Sequence, residues 1–274
     1  MIRTMTDARP NSPPTRPWLL GLALITLTMT VYLPALHGGQ SALAEYEQAV
    51  RINPNDANAQ VKLGTSLMEA GKAAEAVPHF EQAVKIDPKN VVARNSLGVA
   101  LINLKRNTEA TAEFQRVLQL DPHSADAHYN LGLMALDTDQ LPQAIAEFQS
   151  AVQEKPDSAD YQFKLGLALK EVGRIPEALV HYQRAVQLGP SNSNMRINFG
   201  NTLLAAGQNE AAIAQYEEAL RLAPDSYVAH FNLGNALLHM GRKQDAIAHF
   251  EEVLRLKPGF GPAQKKLDLL RNAP

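Results

Sequence analysis

Proline recurs at Pro54, Pro88, Pro122, Pro156, Pro190, Pro224 and Pro258, always 34 residues apart. Gly64, Gly98, Gly132, Gly166, Gly200 and Gly234 keep the same step. So do Ala76, Ala110, Ala144, Ala178, Ala212 and Ala246, and the aromatic series Tyr46, Phe80, Phe114, Phe148, Tyr182, Tyr216 and Phe250. Four columns in one phase confine the chain to a repeat array, because a unit of this size buries its apolar face only by stacking on the next. The step never slips, so no inserted domain separates Pro54 from Pro258.

Each column has a physical reason. A proline lacks an N–H and disfavours helical geometry in the residue before it, so it ends a helix. Two residues later stand Asp56, Asn90, Ser124, Ser158, Asn192 and Ser226. All are good N-caps, able to accept a bond from an orphan backbone N–H. A mid-helix glycine costs ~1 kcal/mol against alanine, so its repetition argues for steric need. The aromatic column supplies large apolar area between helices. The expected division is a half unit at 40–54, six full units over 57–260 and a terminal helix over 261–274 with a wet outer face. Two departures stand out. Glu154 replaces the apolar residue found at Ile86, Leu120, Leu188, Leu222 and Leu256. Pro78 is expected early enough in its helix to meet a free or nearly free N–H position.

These residues resemble the tetratricopeptide repeat (TPR) family over about residues 40–272, most of the chain. The resemblance implies an all-α TPR solenoid, a right-handed superhelix of antiparallel helix pairs, whose first helices line a concave groove for a protein or extended peptide. Carried onto this sequence, the groove includes Asn130, Asn198 and Asn232, with Asn201 and Asn235 three residues after the last two. Lys62, Ser96 and Lys164 interrupt the asparagine column. An amide both donates and accepts, so a row of them suits a peptide main chain. The stretches AHYNLG and AHFNLGNAL are similar to the asparagine ladder of O-linked N-acetylglucosamine transferases. The carboxylate-clamp pattern of chaperone-binding domains is absent from Val61, Thr65, Asn95, Val99, Tyr129 and Leu133.

Ahead of the repeats, residues 1–17 read as a proline-rich, disordered tail. Trp18 to Leu36 then run for 19 residues without a charge. As a helix this is ~28 Å at ~1.5 Å per residue, close to a ~30 Å hydrocarbon core. Arginines precede it and glutamates follow, so the N-terminus is expected in the cytoplasm and the array across the membrane, periplasmic in a bacterial inner membrane. The rival is a signal peptide cut near Ala42-Leu43-Ala44, which exports the array.

The net charge of −2 gives no case for nucleic acid. The absence of cysteine removes thiol chemistry and Cys-containing metal sites. His79, His181 and His249 share a column but in non-adjacent units, too far apart for one ion. No catalytic constellation stands out. Neither metal nor cofactor is expected, and the chain is not read as an enzyme. The leading reading is a membrane-anchored scaffold that supports assembly of a membrane or envelope complex. A permanent subunit of such a complex and a substrate-recruiting partner of a separate glycosyltransferase stay open, as does the oligomeric state.

Overall fold

The structure is a computed structural model describing residues 42–272. The expected tail at 1–17 and membrane segment at 18–36 lie outside the described residues. Every regular element described is an α-helix. Among the described residues, no helix is long and apolar enough to cross a membrane.

The chain divides into two compact units, one ending at Pro88 and the other beginning at Lys89. The first holds α1 (42–52), α2 (Ala57–Glu69) and α3 (Ala73–Ile86). The second holds α4 (Val91–Asn103), α5 (Asn107–Leu120), α6 (Ala125–Asp137), α7 (Leu141–Glu154), α8 (Ala159–Glu171) and α9 (Ile175–Leu188). It continues with α10 (Ser193–Ala205), α11 (Asn209–Leu222), α12 (Tyr227–His239), α13 (Lys243–Leu256) and α14 (Gly261–Asn272). Even-numbered helices up to α12 are the first of each pair, and the following odd-numbered helix is the second.

The glycine and aromatic columns are one device. A Cβ placed on Gly64, Gly98, Gly132 or Gly200 would stand 2.6 Å from a ring carbon of Phe80, Phe114, Phe148 or Tyr216. Each ring thus presses against the bare backbone of its partner helix, and all four are essentially buried. Alanines on both sides complete the contact: Ala76, Ala83, Ala110, Ala144, Ala151, Ala178, Ala185, Ala212, Ala219 and Ala246 are fully buried.

Five of the six cap residues accept a backbone N–H: Asp56, Asn90, Ser158, Asn192 and Ser226. Ser124 occupies the place but its hydroxyl makes no such bond. Between the helices of each pair the backbone turns left-handed at Gly71, Lys105, Asp139, Gly173, Gly207 and Gly241. This second 34-residue column is hidden in the sequence because two of its members are not glycine. Lys105 and Asp139 hold φ at 59° and 57°, a region that costs a residue with a Cβ about 1 kcal/mol or more.

Pro78 corrects one expectation. It is the sixth residue of α3, past the first turn, so it removes the backbone bond to Ala74. Pro142 and Pro176, by contrast, are second in α7 and α9, where no N–H is missed. Glu154 closes α7 and takes a hydrogen bond of 2.7 Å with His123 Nδ1 in the loop before α6. The apolar residue of the column is replaced there by half of an ion pair.

Candidate functional site

Within the second unit, successive first helices approach one another. Asn130 on α6 donates to Asn95 on α4 at 3.4 Å, and Asn232 on α12 donates to Asn201 on α10 at 2.9 Å. Tyr129 on α6 stacks on Tyr161 of α8, with ring centroids 4.6 Å apart. The second helices stand further apart, and open clefts lie between them. One of about 440 Å³ between α5 and α7 has Leu131 and Ala135 of α6 in its lining. Another of about 620 Å³ between α9 and α11 has Phe199 and Leu203 of α10 in its lining. The array of this unit is therefore closed on its first-helix side and open on its second-helix side.

Lys62 belongs to the first unit, where its ammonium lies 5.8 Å from the centre of the Tyr46 ring. The other candidates lie on first helices of the second unit. Asn130 is engaged with Asn95. Asn198 donates to the carbonyl of Asn194 in its own helix at 2.9 Å. Asn201 accepts twice, from Asn232 at 2.9 Å and from the Tyr216 hydroxyl at 2.7 Å. Lys164 and Asn235 are half-buried on α8 and α12. So α10 and α12 carry a joined amide surface, part of whose capacity is already used within the protein. On α4, α6 and α8 the places of Asn201 and Asn235 are held by half-buried Val99, Leu133 and Leu167. Val92, on α4, is 62% exposed. That column is therefore apolar on α4, α6 and α8 and amide on α10 and α12, while Asn130 and Lys164 keep polar groups beside it on α6 and α8.

A charged cluster marks the junction of α6 and α8. Asp126 accepts from the Tyr161 hydroxyl and from Lys155 Nζ at 2.9 Å. Burial pushes the Asp126 carboxyl up, but the Tyr161 hydroxyl and the Lys155 ammonium outweigh it and hold the group below its usual value.

Sequence reasoning missed a row of polar rungs that crosses every helix pair at a separation of 19 residues. Gln60 meets His79 at 2.7 Å, Arg94 meets Glu113 at 2.7 Å and His128 meets Glu147 at 2.7 Å. Gln162 meets His181 at 2.8 Å, Arg196 meets Gln215 at 3.2 Å and His230 meets His249 at 2.9 Å. The first member also reaches the carbonyl of the loop proline six residues earlier, as Gln60 does to Pro54, Gln162 to Pro156 and His230 to Pro224. The repeating proline is thus tied to the following helix through its carbonyl oxygen. The signal was present: the histidine column needed only to be compared with the column 19 residues before it. Among the described residues, no group of three metal-ligating side chains is placed to hold an ion.

A search by sequence finds no match among curated proteins. Among known structures, Pseudomonas aeruginosa PilF is similar over 76% of this chain and 95% of its own, at 18% identity and a TM-score of 0.68. YrrB, described as a TPR protein with an unusual peptide-binding site, is similar over 69% of this chain and 98% of its own, at 22% identity and a TM-score of 0.64. PilW, a widely conserved type IV pilus biogenesis factor, is similar over 79% of this chain and 98% of its own, at 19% identity and a TM-score of 0.64. At these identities the likeness is one of fold. The tetratricopeptide repeat profile itself matches residues 36–91, 61–125, 95–159, 129–193 and 197–259. With these matches running through nearly all of its helix pairs, the chain belongs to the tetratricopeptide repeat family.

Proposed function

We propose that the chain is a membrane-anchored scaffold that holds an extended polypeptide on its first-helix face. The observation that carries this is the asymmetry of that face. Amides on α10 and α12 offer donors and acceptors with no side-chain demand, which suits a main chain, and Val99, Leu133 and Leu167 offer apolar contact beside them. α10 and α12 contain no acidic residue and no lysine, and the one arginine, Arg196, is turned to Gln215 and the Pro190 carbonyl, so charge does not select the partner there. The peptide-binding site of YrrB and the pilus role of PilW favour such a reading for an array of this fold. The uncharged run 18–36 supplies the anchor, with the array on the periplasmic side of a bacterial inner membrane.

The test is photocrosslinking of the full chain in its own membranes. A photoreactive residue replaces Lys164 on the first-helix face or Gln149, which lines a second-helix cleft. Adducts with a polypeptide are expected from position 164, in the membrane fraction, and lost on Asn198→Ala/Asn232→Ala. Adducts from position 149 alone, or none, overturn the assignment of the face. A soluble full-length chain overturns the anchor.

A further inference from the structure

One of the six rungs joins two imidazoles. His230 Nδ1 and His249 Nδ1 stand 2.9 Å apart, and His230 Nε2 lies 3.0 Å from the Pro224 carbonyl. A carbonyl only accepts, so His230 Nε2 carries its proton in every state. The neutral His230 ring therefore presents a lone pair at Nδ1, and His249 must donate from its own Nδ1. The ring centroids are 5.2 Å apart, the separation expected when both Nδ1 atoms point straight at each other across 2.9 Å. That arrangement fits a single shared proton. It does not fit an ion, whose two bonds of about 2.0–2.1 Å would require the lone pairs to converge at an angle.

We propose that the His230–His249 rung is a proton-sensitive latch between α12 and α13, closed by one proton between the two Nδ1 atoms and opened when both rings are charged. With one ring charged, the other can still accept at Nδ1. With both charged, two N–H groups meet head-on and the rung is lost. No other rung has this property: the Gln60 and Gln162 oxygens accept from Nδ1 of His79 and His181 in either state of the ring, the Glu147 carboxylate likewise accepts from His128, Arg196–Gln215 holds no histidine, and Arg94–Glu113 joins fixed opposite charges.

The surroundings set the pH window. Burial lowers His249, and the neighbouring His230 and Arg242 lower it further, against Asp245 and Glu252. Asp245 is tied to Arg242 at 2.7 Å and Glu252 to Arg255 at 2.6 Å, so neither acid is free to neutralise the pair fully. On the other elements packed here, Glu218 of α11 is turned to Arg221 and Arg196, and Arg271 of α14 to Glu251. A folded value below the ordinary 6.5 means the unfolded chain binds more protons in acid. The rung's stabilisation is full above that pH and is lost as pH falls through the folded value.

Native-state hydrogen exchange on the full chain in detergent tests this, with rates corrected for intrinsic pH dependence. Between about pH 7.5 and about pH 5, opening of α12 and α13 should rise at least about tenfold more than opening of α10 and α11. His249→Gln leaves a rung like Arg196–Gln215 and should bring that excess below about threefold. His230→Gln recreates the Gln–His rung of Gln162–His181 and serves as the second variant. Nitrogen-15 spectra of the wild-type imidazoles should show one proton shared between the Nδ1 atoms at neutral pH. Equal acid responses in wild type and both variants, or two independently titrating rings, overturn the latch.

Discussion

The pairs α8–α9 and α10–α11 are built to the same plan and differ at one buried hydroxyl. Both place a tyrosine in the aromatic column where most pairs place phenylalanine: Tyr182 in one, Tyr216 in the other. Both rings are fully buried. The Tyr216 hydroxyl donates to Asn201 at 2.7 Å. The Tyr182 hydroxyl has no hydrogen-bond partner among the described residues, although Thr202 lies close enough to be felt by it and itself donates to the carbonyl of Asn198. The residue 15 places before each tyrosine decides the matter: Asn201 for Tyr216, Leu167 for Tyr182. Burial pushes both phenols up, so each stays a neutral donor. A buried donor left unmet costs about 1–3 kcal/mol. The two pairs also differ in ring position. A Cβ on Gly200 would lie 2.6 Å from Tyr216, whereas one on Gly166 would lie 3.2 Å from Tyr182. The Tyr216 ring lies as close to its glycine as the phenylalanine rings of the other pairs do, and the Tyr182 ring is the one that stands back.

The largest effect expected from this difference is at the glycines. Gly200→Ala gains ~1 kcal/mol of helix propensity but drives a methyl into a ring fixed by Asn201. Overpacking of that kind costs ~1–3 kcal/mol or more, so a net loss of about 2 kcal/mol is expected. Gly166→Ala meets the Tyr182 ring at 3.2 Å and the Ala178 carbonyl at 3.3 Å, a milder contact that the gain in helix propensity partly offsets, and should stay within about 1 kcal/mol of wild type. Local hydrogen exchange in each helix pair is the suitable measurement, since a repeat array need not unfold in one step. Equal losses at the two glycines would show that the wider gap at Tyr182 gives the added methyl no useful room.

Removing the hydroxyls comes next in size. Tyr216→Phe leaves Asn201 with Asn232 as its only donor, and α10–α11 should lose about 1 kcal/mol. Tyr182→Phe removes a buried donor that has no acceptor, and α8–α9 should be unchanged or up to about 1 kcal/mol more stable. The opposite signs are the test, read as slower exchange in one pair and faster exchange in the other. A loss at both positions would mean that Thr202 accepts from Tyr182 after all.

The same comparison separates what was legible in the sequence from what was not. Helix pairs, caps and the glycine–aromatic contact were legible because each rests on sterics repeated at one step, and a single unit shows the pattern. The candidate face was legible only as a column of residue types. What Asn130, Asn198, Asn201 and Asn232 do depends on contacts to Asn95, Asn194 and Tyr216, which span 35, 4 and 15 residues. Any one of these side chains alone resembles ordinary solvated helix surface. The rungs escaped for the same reason: His128 and Glu147 are unremarkable until the pairing of α6 with α7 brings them together. Ser124 looked like its five counterparts, and only the geometry of its loop shows that its hydroxyl does not cap.

The smallest effect bears most directly on function. If Asn201 is there to satisfy Tyr216, then part of the amide surface is explained by the fold and not by a ligand. Leu167→Asn places an amide at the matching position below Tyr182. Alone it exchanges apolar contact for a hydrogen bond, and those terms nearly cancel. The coupling is the informative quantity. In a cycle with Tyr182→Phe, the introduced amide should stabilise α8–α9 by about 0.5–1 kcal/mol more when the hydroxyl is present. Coupling at that level would assign the Asn201 oxygen to its tyrosine and leave the asparagine amide nitrogen, with the oxygen of Asn232, as the groups that α10 and α12 can offer a partner. Absence of coupling, below about 0.3 kcal/mol, would return Asn201 to the binding face as a residue whose chemistry the fold does not require.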